Sequence, residues 1–231
     1  MEVGKSFSYI FEDREWFNKI GLGTIISAVP ILNFAWVGYT VEVMRNVSLR
    51  NPSPLPDWSD LGGKFIKGLI LFLVGIIYAL PAIILAGISL IVIGVPALAS
   101  GDIQDTLATI FAGAGIFLGC IITLYALAVS FFFPAVYLRF ANKGTFGSCF
   151  EVKEILKIAT SNLGNFVIAW LMSIVLGFVI GLIAGAVSLL IGWVPCIGWI
   201  ISWVITAFAG VWATTVYAHL FGQVGALQPA Q

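Results

Sequence analysis

Ionisable side chains are scarce in this chain of 231 residues: 10% are Asp, Glu, Lys or Arg, 60% are hydrophobic, and the mean hydropathy is +1.06. A soluble domain carries about 25% charged residues, so an ordinary water-soluble globule is excluded. An excess of either sign is missing too, because 11 Lys and Arg balance 11 Asp and Glu. That balance leaves no global basic field for nucleic acid and no acidic tail. Histidine occurs once, as His219, and there is no H-E-x-x-H spacing, no G-x-S-x-G, no Walker-type loop and no pair of buried aspartates. No catalytic, metal or cofactor site is expected from these residues, and the chain reads as a non-enzyme. Cys120 lies in an apolar run, Cys149 on an expected surface helix and Cys196 after a proline, an odd and scattered set. Such a set argues against a disulfide framework or a thiolate metal site, and the three are read as small lipophilic fillers.

Long apolar runs are what the sequence does have. Residues 20–41, 68–101, 106–138 and 158–231 contain no Asp, Glu, Lys or Arg, which is more than two thirds of the chain. The expected class is an all-α, polytopic integral membrane protein forming a single membrane domain over 1–231, in three parts, 1–50, 51–142 and 143–231. Glu12, Asp13, Arg14 and Glu15 interrupt the region where a cleavable leader would need an apolar core, so a retained N-terminus is expected. The cations fall into three clusters: Lys5, Arg14 and Lys19; Arg45, Arg50, Lys64 and Lys67; Arg139, Lys143, Lys153 and Lys157. The link holding Asp102 and Asp105 has no cation, and the turn at 192–198 has no charge. The positive-inside rule then puts the basic clusters and the C-terminus in the cytoplasm and these two links outside.

A straight helix over 68–99 would measure about 48 Å against a hydrocarbon core of about 30 Å, so it must tilt, kink or break, and Pro81 and Pro96 supply the means. Its return partner, over about 107–140, has Pro134 near its inner end, and a third pair turns at Trp193-Val194-Pro195. Four transmembrane helices in two hairpins result. The run 20–41 has basic residues on both flanks yet suffices for one crossing only. Pro30, with Asn33 after it, favours a re-entrant or interfacial short hairpin with its tip near Val29-Pro30 over a plain span.

A weak internal repeat supports that reading. Ser6-Phe7 and Phe11-Glu12 match Thr145-Phe146 and Phe150-Glu151 at one offset, and Val29-Pro30-x-Leu32-Asn33-Phe34 matches Val194-Pro195-x-Ile197-Gly198-Trp199 at an offset longer by about one helix. Each hairpin also follows an amphipathic stretch: Phe7, Ile10, Phe11 and Phe17; Trp58, Leu61, Phe65 and Leu69; Phe146, Cys149, Phe150, Leu156, Ala159 and Leu163. In-plane helices with their apolar faces in the acyl boundary are expected there, the alternative being short cytoplasmic loops.

The aromatic N-terminal stretch, the Pro-Ile-Leu-Asn tip, Gly38-Tyr39, Leu55-Pro56-Asp57-Trp58, Lys67-Gly68-Leu69 and the Tyr-x-x-Pro of Tyr78 to Pro81 occur in one order. In this the chain resembles, over roughly 7–222, a family of prokaryotic membrane proteins known as a domain of unknown function, number four thousand and thirteen. The resemblance implies a bacterial or archaeal cytoplasmic membrane and brings no catalytic or ligand residue with it.

Glu42 and His219 are the possible polar sites. A surface pair with Arg45 one turn on explains Glu42 without function, and His219 is expected at the inner interface beside Tyr217. No ionisable residue lies within the spans from 68 onward, which disfavours proton- or sodium-coupled transport. Gly177, Gly181 and Gly185 make overlapping G-x-x-x-G motifs, and Gly115 with Gly119 makes another. Such faces let helices approach closely, within one chain in the favoured reading or between subunits in the other. Trp193, Trp199 and Trp203 read as an interfacial belt, and Pro30, Pro81, Pro96, Pro134 and Pro195 as turn or kink positions. The partners expected are the lipid bilayer and either further copies of the chain or other membrane subunits, with no nucleic acid. The leading expectation is a scaffold or accessory subunit acting through assembly; the alternative is a passive pore or carrier for lipid-like or weakly polar solutes.

Overall fold

A computed structural model describes residues 1–94 and 102–228. In order these form α1 (Val3–Ser8), a 3₁₀ turn (Tyr9–Glu12), α2 (Trp16–Ala28), α3 (Asn33–Ser48), α4 (Leu61–Gly94), α5 (Asp102–Lys143), a second 3₁₀ turn (Phe146–Phe150), α6 (Val152–Ser161), α7 (Leu163–Ile191) and α8 (Ile197–Ala226). No strand occurs among the described residues. Four segments, Leu61–Val92, Phe111–Lys143, Leu163–Ile191 and Ile197–Ala226, are long and apolar enough to cross a membrane. Their large side chains face outward, among them Ile84, Leu90, Phe117, Leu182 and Leu189. Apolar surface of that extent is stable against acyl chains and not against water, so the chain is a multi-pass membrane protein.

The prolines divide by position. Pro81 and Pro134 lie inside α4 and α5, which continue through them, so neither breaks its helix. Pro30 and Pro195 stand in the turns that follow α2 and α7, and Pro96 lies outside the described residues. Asp102 and Asp105 belong to the first turn of α5 rather than to a loop.

The chain divides into two compact units, Met1–Phe72 with Pro134–Gln231, and Leu73–Phe133. In the second, the Tyr125 hydroxyl donates to the Tyr78 carbonyl at 2.7 Å. That carbonyl neighbours the one Pro81 leaves without its helical donor. Phe133 meets the Tyr78 ring edge-on at 5.9 Å.

In the first unit α8 is the central element, and α1, α2, α3 and α7 pack on it. Trp36 donates from its indole to Thr214 Oγ1, Val47 lies on Gly222, and Arg50 donates to the Ala226 carbonyl. Helix α3 thus runs parallel to α8 with the C-termini level. At 1.5 Å per residue α3 is about 24 Å long and α8 about 45 Å, so the tip before α3 falls about half-way along α8. The two tips share a turn geometry: Val29 N–H donates to Ile26 O and Asn33 N–H to Val29 O, as Val194 N–H does to Ile191 O and Gly198 N–H to Val194 O. The repeated Val-Pro motif builds the same turn twice, and α6 together with the greater length of α7 over α2 accounts for the longer offset.

The expected in-plane helices differ from the reading above. Leu61 and Phe65 open α4 itself, because nothing between Leu61 and Gly68 interrupts helical hydrogen bonding. In α6 the buried face is Ile155, Ile158 and Ala159, packed on protein, while Val152, Leu156 and both lysines face outward. Cys149 sits buried in the second 3₁₀ turn instead of on a surface helix, where burial lifts its thiol to about 11. Cys120 and Cys196 are exposed, and Cys196 holds a left-handed φ of 62° at the start of α8.

Candidate functional site

The polar side chains gather at the end of the first unit where α3, α5 and α8 terminate. One centre joins α1 to α8. The residues Trp212, Thr215, His219 and Gln223 recur at steps of three and four and so share one face of α8. Phe7 packs on Trp212 at 5.8 Å, and the Tyr9 hydroxyl donates to the Thr215 carbonyl at 3.0 Å. Tyr9 stacks on the His219 ring at 4.1 Å. Gln223 Oε1 accepts the Glu2 N–H at 2.6 Å, which orients the amide, and its Nε2 faces Glu2 O, Ser6 Oγ and His219 Nδ1 at 3.0, 3.1 and 3.0 Å. Ser6 Oγ completes the set, 2.9 Å from Nδ1. His219 therefore lies buried beneath α1 and works as a clamp for the N-terminal segment. Burial also raises the Tyr9 phenol well above its ordinary pKa, against the lowering bond to Thr215, which keeps it a neutral donor. A cleft of about 600 Å³ opens beside this clamp, lined by charges of both signs, including Lys5, Glu12, Arg14 and Arg50.

A second centre joins α3 to α4. Glu42 receives Lys64 at 2.9 Å and Lys67 at 2.6 Å. It pairs across to α4 rather than along its own helix with Arg45. Two glycines make this possible: a Cβ at Gly38 would overlap the Lys64 carbonyl oxygen, and one at Gly68 would overlap that of Phe34. The backbones touch, so Lys64 is carried against Glu42 with its side chain only 3% exposed. Beside them Tyr39 stacks between Trp36 and Trp58 at 4.9 and 4.6 Å, and the Trp58 indole donates to Lys19 O.

A third centre joins the end of α5 to the second 3₁₀ turn. Arg139 Nε donates to Glu151 Oε2 at 2.8 Å with a second guanidinium contact to the same oxygen, and Lys143 donates to Oε1 at 3.0 Å. The Arg139 and Lys143 hydrogen bonds hold the Glu151 carboxyl below its ordinary pKa, against a smaller opposing push from desolvation. Its ion pairs therefore stabilise the fold fully above the ordinary carboxylate range and are lost as pH falls through the depressed value. Glu151→Gln is expected to lower the thermal midpoint at pH 7, with the gap to the wild type closing on acidification below about pH 4. A gap that widens in acid would contradict the assignment.

Asp13 is held in the same direction: burial pulls it upward, but the Lys19 ammonium, the Glu15 N–H and Ser53 outweigh that pull.

Of the residues singled out from sequence, Gly177, Gly181, Gly185 and Gly119 would meet, among the described residues, no other element within 4 Å of an added Cβ. The close approaches between helices occur instead at Gly23, Gly38, Gly68, Gly222 and Gly225. Gly222 and Gly225 are three apart on α8, but Gly38 and Gly68 belong to different helices and have no spacing to betray them. Trp193 and Trp199 are exposed and donate to Leu190 O and Gly192 O, the free carbonyls at the end of α7. Among the described residues no three His, Cys, Asp or Glu side chains gather as metal ligands.

A family model described as "Protein of unknown function (DUF4013)" matches residues 22–189. No curated protein and no solved structure matches the chain. The matched region includes both helix-crossing glycines, the Tyr39–Trp58 stack and the Tyr78–Pro81 element, so the motifs noted in the sequence are packing devices of the first and second units.

Proposed function

The chain belongs to the DUF4013 family, and from that premise we propose a non-enzymatic membrane protein that acts by assembly, as a homo-oligomer or as a scaffold for other membrane subunits. The observation that carries this reading is the unused glycine ladder of α7: Gly177, Gly181 and Gly185 align at steps of four, and among the described residues a Cβ at each would meet no other helix within 4 Å. Within lipid the hydrophobic drive between helices is absent, and close backbone approach over small residues replaces it. The polar residues support the same reading, since His219, Glu42 and Glu151 are each engaged in holding helices together.

By the positive-inside rule we infer that the basic end of the first unit faces the cytoplasm of a bacterium or archaeon. The α2–α3 segment then enters from that side as a re-entrant hairpin reaching about half-way along α8. Its outward face, with Phe17, Ile25 and Ile31 exposed, suits acyl chains.

Gly181→Leu is expected to shift the native mass of the particle in nanodiscs from oligomer to monomer, while Gly4→Leu, on the short α1, leaves it unchanged. An identical oligomer with Gly181→Leu would remove α7 as the interface.

A further inference from the structure

A groove of about 700 Å³ lies where α3, α5 and α8 end, beside α6. Its charged lining is Arg45, Arg50 and Lys143, and no carboxylate faces it. Asp57, Asp60 and Glu42 line a neighbouring cleft with Lys64 and Lys67, and Arg45 borders both spaces. Glu42 already serves two lysines and Glu151 serves Arg139 and Lys143, so each carboxylate is outnumbered by its cations. Arg45 stands between the two clusters and makes no ion pair or hydrogen bond with its guanidinium among the described residues. Arg50 uses one nitrogen on the Ala226 carbonyl, and the Asn142 amide nitrogen donates to nothing among the described residues. Donors and positive charge thus converge on a space that the chain itself leaves unanswered.

The depth of the groove says what answers it. Lys143 and Ala226 are the last residues of the membrane-crossing segments Phe111–Lys143 and Ile197–Ala226. Helices of that length overrun a hydrocarbon core of about 30 Å, so their basic end, and the groove with it, reaches the headgroup layer, the level of lipid phosphates. Its remaining wall is apolar, with Leu49, Leu138 and Ile158. Cations and amide donors above an apolar wall at that depth match a phosphodiester headgroup with its glycerol and first methylenes. The geometry points to a binding site for one anionic phospholipid in this groove, its phosphate held by Arg45 and Arg50 with Asn142, and Lys143 closing the far side. Net positive charge in the groove selects an anionic headgroup over phosphatidylcholine, whose choline brings its own cation.

The test uses the full chain and native mass spectrometry, with phosphatidylglycerol, phosphatidylcholine and inorganic phosphate as probes. The wild type is expected to retain one phosphatidylglycerol in preference to phosphatidylcholine. Each basic side chain near a membrane surface is worth about fivefold in affinity, so Arg45→Gln with Arg50→Gln is expected to lose about twenty-five-fold. Arg45→Gln alone, which breaks no hydrogen bond or ion pair among the described residues, is expected to lose about fivefold. Lys153→Gln with Lys157→Gln makes the same charge change on the exposed face of α6 and is expected to retain the lipid. Equal losses in the α6 variant would overturn the site in favour of a general surface attraction. Absence of any preference in the wild type, or displacement of the lipid by millimolar inorganic phosphate, would overturn the lipid assignment.

Discussion

Replacing Glu42 with alanine is expected to destabilise the protein by about 3–5 kcal/mol, the cost of leaving a buried charge without its partner. Lys64 is the reason. Its side chain is 3% exposed, and Glu42, itself 18% exposed, is its only ion-pair partner among the described residues. Lys67 is better placed to recover, since it is 35% exposed and its ammonium reaches water. The measurement is reversible unfolding in mixed micelles, wild type against variant. The companion variant Glu42→Leu with Lys64→Met removes both charges, and much of the loss is expected to return, because breaking a buried pair costs more than replacing it. A single variant as stable as the wild type would mean that Lys64 escapes to solvent and that the pair is a surface feature.

Gly38→Ala is expected to have an effect of similar size, about 3 kcal/mol, at the high end for overpacking a tight contact. The added methyl would overlap the Lys64 carbonyl oxygen, and a backbone atom cannot turn aside as a side-chain tip can. Relief requires α3 and α4 to separate, which also withdraws Lys64 from Glu42 and loosens Phe34 from Phe65 and Phe72. Gly68→Ala presses on the Phe34 carbonyl in the same crossing and is expected to act alike. The two losses should fall short of additive, since one displacement of α4 relieves both. Gly181→Ala makes the internal comparison: its Cβ would meet open space, so the monomer fold is expected to stand within about 0.5 kcal/mol of the wild type. Thermal midpoints of the three variants in one detergent decide the matter, and equal behaviour of Gly38 and Gly181 would refute the crossing.

These two sites mark the line between what was legible in the chain and what was not. Charge-free runs longer than a bilayer is thick are local features, and the four membrane-crossing helices follow from them directly. The Val-Pro turns were legible too, as a repeat that proves to carry the same hydrogen bonds at both tips. The partner of Glu42 was not. Along the helix Arg45 is the nearest cation, and only the approach of α4 at Gly38 brings Lys64 nearer. Gly-x-x-x-Gly spacing likewise singled out α7, whose ladder meets no other helix within 4 Å among the described residues, and passed over Gly38 and Gly68, which lie on different helices.

His219 follows the same logic. Its isolation in the sequence suggested an interfacial residue, but a stripe of Trp212, Thr215, His219 and Gln223 on one face of an otherwise apolar helix was the available signal that something polar covers it. The covering segment is the distant α1, joined through Ser6, Tyr9 and Glu2. By itself, then, the sequence determined the membrane class, the helical spans and the turns, because hydropathy and backbone hydrogen bonding act over a few turns of chain. The tertiary structure decided which cations answer which carboxylates, which glycines carry contacts and which stay free, because those depend on where helices remote in the chain meet.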